Sequence, residues 1–312
     1  MLDPQAKALL DLIKERGLPA SNELSPAEAR QAYRDRRSYT QPAAPEVGAI
    51  RDIAAPTPHA PVPLRSYRPA GSQPQAVLPA LVYFHGGGWV IGDLDTHDVL
   101  CRQLCNASGC AVLAVDYRMG PEHRFPAAID DALAVTRWVF AQAKELAIDP
   151  ARIAVGGDSA GGNIAAVVCL GLRDAGEALP AFQLLVYPAT DMRRGAPSHR
   201  ENGEGYLLTS AVIEYFQGHY VGAAQYDDWR ASPLLAANHA GLPPALVLTA
   251  GFDPLRDEGL AYADKLSAAG NQVQYVCFSR QIHGFITMGR VIDEANTAVL
   301  LCADLLRRKL AN

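Results

Sequence analysis

A chain of 312 residues, 49% of them apolar, carries enough apolar mass to bury a core in one large domain or two modest ones. Its 28 basic and 33 acidic side chains leave a formal net charge of -5 and no basic block of the kind a phosphate backbone rewards, which excludes nucleic acid as a partner. No apolar run approaches the roughly 18 to 20 residues that a membrane-spanning helix needs, so no membrane span is expected.

The first segment, MLDPQAKALLDLIKERG, interleaves Leu2, Leu9, Leu10, Leu12 and Ile13 with charged residues and reads as an amphipathic helix rather than a signal peptide. Ser25 is placed to cap a second helix, PAEARQAYRDRR. Residues 1–45, together with a helical stretch at 195–225, are expected to form a small helical cap. Between the cap and the rest, APEVGAIRDIAAPTPHAPVP reads as a proline-rich connector.

From about residue 62 onward, short apolar runs alternate with longer helical patterns, the signature of βαβ units around a mostly parallel sheet flanked by helices. The expected strands are VPLRSY, ALVYFH, AVLAVDY, RIAVGG, QLLVYP, ALVLTAG and VQYVCFS. The intervening helices include DVLCRQLCNASG and NIAAVVCLGLRDAG, and a closing helix covers 287–310. The α/β core thus takes in 46–194 and 226–312. Six cysteines are spread through the chain, and without a signal sequence they point to free thiols in a reducing cytoplasm. His97, Cys101 and Cys105 share a helical spacing, but packing beside Leu100 and Leu104 accounts for the thiols better than a metal does.

Chemistry enters with Gly157-Asp158-Ser159-Ala160-Gly161, which follows the strand RIAV and opens a helix. That is the strand–turn–helix context of a G-x-S-x-G nucleophile elbow, in which a serine is pushed out at the carboxyl edge of the sheet. A lone serine is a poor nucleophile and needs a base and a group to orient that base, which in this context follow as acid and then histidine. Asp253 comes directly off the strand ALVLTAG, ahead of the alternative Asp257, and His283 follows the strand VQYVCFS. Of the other histidines, His59 falls in the connector, His97 opens a helix, His199 and His219 lie in the cap and His239 sits in a surface-like loop. Attack on a carbonyl makes an oxyanion, and the triple glycine after ALVYF suits backbone donors that approach it closely: the N–H groups of Gly87, Gly88 and Ala160. His85 is read as a brace for this loop. A nucleotide cradle is excluded, since neither glycine cluster spells a P-loop or G-x-G-x-x-G.

With HGGGW, GDSAGG, DPLRDEG and IHGF in this order, and a Tyr-Arg-x-x-Pro-Glu-His segment at 117–123, the chain resembles the bacterial branch of the hormone-sensitive lipase family of α/β-hydrolases. The resemblance implies the α/β-hydrolase fold, a carboxylesterase acting on short acyl esters with no metal or cofactor, and a homodimer formed through the last strand. It assigns Ser159, His283, Asp253 and the three amides the roles given above. Where relatives often carry phenylalanine this chain has Trp89, expected to reshape the alcohol side of the pocket. Tyr206, Leu207, Leu208 and Phe216 of the cap, with Trp89, Phe285 and Ile286, are the expected apolar lining. The same triad also suits an amide, formyl or acetyl ester bond in a small molecule, and a binding module that has lost catalysis is the non-enzymatic alternative.

Overall fold

Strands flanked on both faces by helices must be apolar at nearly every position, and the central runs of this chain are. The computed structural model describes residues 1–311. Its strands are β1 Ala49–Ala55, β2 Val62–Arg68, β3 Leu78–Phe84, β4 Ala111–Val115, β5 Ile148–Asp158, β6 Phe182–Val186, β7 Ala245–Phe252 and β8 Val273–Ile282. They form one sheet in the order β1-β2-β4-β3-β5-β6-β7-β8, with β2 antiparallel to both its neighbours and the other pairings parallel.

The helices are α1 Pro4–Glu15, α2 Pro26–Thr40, α3 Asp98–Ser108, α4 Ala127–Ala141, α5 Ala160–Asp174, α6 Pro197–Glu201, α7 Ser210–Tyr220, α8 Arg256–Ala268 and α9 Asp293–Lys309. Because side chains alternate across a strand, the sheet feeds two cores. Val82, Leu113, Val155 and Val247 pack with α4, α5 and α8 on one face. Leu81, Val112, Ala154 and Leu246 pack with α3 and α9 on the other. Helix α5 lies unusually close to the sheet, since a Cβ on Gly161 would run into the carbonyl oxygen of Phe84. That close approach seats the start of α5 directly under the end of β5.

Two expectations are corrected here. The proline-rich connector contains an edge strand, β1, paired residue for residue with β2 from Ala49↔Arg68 to Ala55↔Val62. Its outer, largely exposed position lets it carry Arg51 and Asp52, so it lacks the apolar signal of an inner strand. Helix α1, assigned to the cap from its periodicity, instead buries Ala6 and Leu9 among residues of α9. Asp3 donates its N–H to the Arg280 carbonyl and Gln5 bonds Asp293, tying α1 to the core. The amphipathic pattern establishes an apolar face but not which surface that face covers.

Helices α2 and α7 pack together with the short turn at Ser21–Glu23. Ala29 of α2 joins Val212, Ile213 and Phe216 of α7 and the neighbouring Leu208 in an apolar cluster that also takes in Val90, Ile91 and Leu255. Among the described residues no helix is long and apolar enough to cross a membrane, and no group of three potential ligands converges to hold a metal ion. The cysteines are unpaired, and five of the six are buried.

Candidate active site

Ser159 is the single residue between the last residue of β5 and the first of α5. Its backbone turns with φ 57 and ψ -117, a region that side-chain-bearing residues seldom occupy and that costs about 1–3 kcal/mol. Closely packed glycines on both sides make room for that turn, and the Ser159 N–H is anchored to the Val186 carbonyl at 2.8 Å. The hydroxyl therefore stands at the carboxyl edge of the sheet, beside the positive end of α5.

His283 follows β8 and brings Nε2 to 2.9 Å from Ser159 Oγ. Its Nδ1 lies 2.8 Å from Asp253 Oδ2, just beyond β7. A carboxylate only accepts, so Nδ1 carries the proton and Nε2 keeps a lone pair for the serine hydroxyl. Asp253 is fully buried, and its other oxygen accepts the Leu255 N–H at 2.8 Å. Asn202 donates to the Asp253 carbonyl at 3.2 Å and fixes the loop from the cap side. Asp257, the alternative acid, is turned away: it pairs with Arg256 and accepts the Ser198 N–H. Tyr187 stacks at a tilt on the His283 ring, 4.7 Å between centroids, and nothing in its sequence context marked it for that position.

Opposite the hydroxyl, the loop after β3 folds on itself as the Gly87 carbonyl accepts the N–H groups of Val90 and Ile91. Gly88 has φ 59 and lies against the Phe216 ring, so any side chain there would collide with α7. Among the described residues the N–H groups of Gly87, Gly88 and Ala160 donate to no protein acceptor. Two amide donors thus stand uncommitted in the loop after β3, and a third at the first residue of α5.

A second buried carboxylate, Asp158, organises this loop. It accepts from Tyr83 Oη at 2.7 Å and from the Gly86 N–H at 3.0 Å, and it faces His97 Nε2 at 3.2 Å. Burial works against its charge, but His97 and the hydrogen bonds from His97 and Tyr83 hold its carboxyl below the ordinary range. Burial and Asp158 together push the Tyr83 phenol well up, so it stays a donor. His97 Nδ1 is in turn engaged with Thr96 Oγ1 at 3.1 Å. Only the position of Asp158 inside Gly-Asp-Ser hinted at this role.

His85 braces the loop from below, stacked on Tyr117 at 4.5 Å and with Nδ1 against the Gly86 carbonyl at 2.8 Å. Burial, and then His97, lower its pKa to about 4, so it is neutral. Helix α2 grips the outer part of the loop. Arg30 donates to the carbonyls of Val90 and Gly120, Arg37 to that of Asp95, and Arg34 pairs with Asp93.

The expected lining residues divide. Leu208 and Phe216 belong to the apolar cluster between cap and loop. Tyr206 packs on Phe252, with centroids 5.1 Å apart, and Leu207 joins the core cluster on that side. Trp89, expected to reshape the pocket, is turned into the core. Its backbone has φ 59, its ring stacks on Tyr220 at 4.7 Å, and only 4% of it meets solvent. Phe285 and Ile286 are likewise core residues, Phe285 lying beside Tyr187. His239, read as part of a surface loop, is buried against Tyr262 and the Pro233 carbonyl. His199 makes a buried pair with Glu258 at 2.6 Å, joining α6 to α8.

Comparison with known proteins gives the same outline. The family described as having the alpha/beta hydrolase fold matches residues 81–287. An ethyl acetate hydrolase of Pseudomonas putida is 39% identical, covering 99% of this chain and 99% of its own. LipN, a carboxylic ester hydrolase of Mycobacterium tuberculosis, is 46% identical over 77% of this chain, and the match spans 65% of LipN. The ester hydrolase EH1AB1 from the metagenome of Lake Arreo, solved with a derivative of bipyridine phosphonate, superposes over all of both chains with a TM-score of 0.96 at 45% identity.

Proposed function

Because the chain belongs to the α/β-hydrolase family, on its hormone-sensitive-lipase-like branch, we propose that it is a serine carboxylesterase of short- to medium-chain acyl esters. One observation carries the residue roles: an unbroken line from buried Asp253 through His283 to the Ser159 hydroxyl.

In this reading Ser159 Oγ attacks the ester carbonyl while its proton passes to His283 Nε2, and Asp253 stabilises the imidazolium that forms. The carbonyl oxygen, now an anion, is held by the N–H groups of Gly87, Gly88 and Ala160, each worth about 3 to 4 kcal/mol in the transition state. His283 then returns its proton to the departing alkoxide, leaving an acyl-serine and free alcohol. A water molecule repeats the sequence: it attacks the acyl carbonyl, loses a proton to His283, and releases the carboxylic acid as Ser159 regains its hydroxyl.

The cap supports short acyl chains. Leu208, Ile213, Phe216 and Leu255 form one apolar cluster with Val90 and Ile91 of the loop after β3, and Phe216 is pressed against Gly88. Acyl groups of about two to eight carbons suit such an enclosed site better than emulsified lipid does. A reducing cytoplasmic setting is supported by the unpaired cysteines, and a homodimer across β8 by its place at the free edge of the sheet. Sedimentation velocity tests the dimer, which a monomer at micromolar concentration would rule out.

The decisive test is Ser159→Ala assayed on p-nitrophenyl butyrate. Turnover should fall by about 10⁴-fold or more with the unfolding transition retained, and fluorophosphonate labelling of the protein should disappear. Wild-type turnover in that variant would end the proposal.

A further inference from the structure

At the end of the sheet opposite Ser159, where β3 and β5 begin, a cleft of about 460 Å³ opens between β1, β2 and the connection that follows α4. Arg51, Arg68 and Lys144 line it together with one acid, Glu145, and with aliphatic surface from Ile53 and Leu146. Among the described residues no carboxylate lies within 4.0 Å of any of these three cations.

Arg68 is the unusual member. It is only 8% exposed, yet its guanidinium meets no carboxylate. Nη2 donates to the Ala76 carbonyl at 2.5 Å and reaches the Gln73 carbonyl at 3.5 Å, Nε is buried with no partner, and Nη1 donates to no protein acceptor. A buried cation with idle donors is costly, and groups of this kind in native folds ordinarily have a partner. The nearby charge of Arg51 adds repulsion to that cost, and burial followed by Arg51 lowers the Arg68 pKa. An anion in the cleft answers both deficits at once, filling the free edge of the guanidinium and separating the two arginines.

The lining also restricts the anion. Three cations against one carboxylate leave a surplus of two positive charges, which matches a dianion. The hydrocarbon surface is aliphatic, with no aromatic ring on which a nucleobase or aryl group would stack. We propose that this cleft binds a small aliphatic or inorganic dianion through its paired oxygens, at a site separate from ester hydrolysis.

Isothermal titration calorimetry of the full chain, with succinate in one arm and inorganic phosphate in the other at constant ionic strength set by chloride, tests this. Saturable binding at one site per chain is expected in at least one arm: succinate alone identifies a dicarboxylate, phosphate alone a phosphate group, and both the shared oxyanion chemistry. Arg68→Gln should weaken binding by about tenfold or more while leaving turnover of p-nitrophenyl butyrate unchanged. The double variant Arg51→Gln, Lys144→Gln changes only exposed side chains and should weaken binding similarly, so it decides the matter if Arg68→Gln fails to fold. Heats no greater than those of chloride in both arms, or undiminished binding by the folded double variant, would overturn the proposal.

Discussion

Two buried imidazole–carboxylate pairs flank Ser159, and they are built alike up to the last contact. His283 leans on Asp253 and His97 on Asp158, each carboxylate nearly sealed from solvent and each taking a backbone N–H as well. The difference lies in the second ring nitrogen. His283 has Nε2 free to reach the Ser159 hydroxyl, whereas His97 spends its other nitrogen on Thr96. On the proposed mechanism the same pair serves as a base where one nitrogen faces a reacting group, and as a scaffold where both are committed to the protein.

The first way to break that comparison is to neutralise each carboxylate in turn. Asp253→Asn removes the acceptor that sets the His283 tautomer, and kcat should fall by about 10⁴-fold with the protein still folded. Asp158→Asn should act differently: a loss of about 3 kcal/mol in unfolding free energy, read by urea titration, with turnover reduced only about 10- to 100-fold through a displaced oxyanion loop. Equal losses of kcat in the two variants, at equal stability, would erase the distinction.

The brace is also open to titration. His85 takes up its proton near pH 4 in the folded protein and at the ordinary value of 6.5 when unfolded. Between those values the unfolded chain binds more protons, so stability falls as pH drops through the window, by about 3 kcal/mol in all, and levels off below it. His85→Asn should flatten this part of the curve of unfolding free energy against pH; a parallel curve would show that His85 is not the group responsible. The smallest effect is expected at the outer grip. Arg30→Ala releases the carbonyls of Val90 and Gly120 and should cost about 1 to 2 kcal/mol in urea stability, with the triad's kcat nearly unchanged. A large loss of kcat there would mean that α2 sets the catalytic geometry rather than the stability of the loop.

Much of the site was legible because its chemistry requires local order in the chain. The glycines around Ser159 are needed by a turn at φ 57, and Asp253 and His283 each emerge within a residue of a strand end, so strand prediction alone carries them to one edge. Residues that act through packing left weaker traces. Trp89 was expected in the pocket because relatives often carry phenylalanine there, yet its left-handed backbone and its stack on Tyr220, 131 positions later, draw it into the core. Asp158 was visible only as the middle of Gly-Asp-Ser, since its partners Tyr83, Gly86 and His97 come from another strand and its following loop.

The amino-acid order by itself determined the alternation of strand and helix, the tight turn at Ser159 and the succession serine, acid, histidine, because each depends on neighbouring residues and on period. Tertiary structure alone decided that β1 closes one edge of the sheet, that α1 joins the core instead of the cap, and that His97 spends both ring nitrogens on Asp158 and Thr96. Those outcomes depend on which surfaces meet across long separations in the chain, and an apolar face or a ring nitrogen has no partner until the fold supplies one.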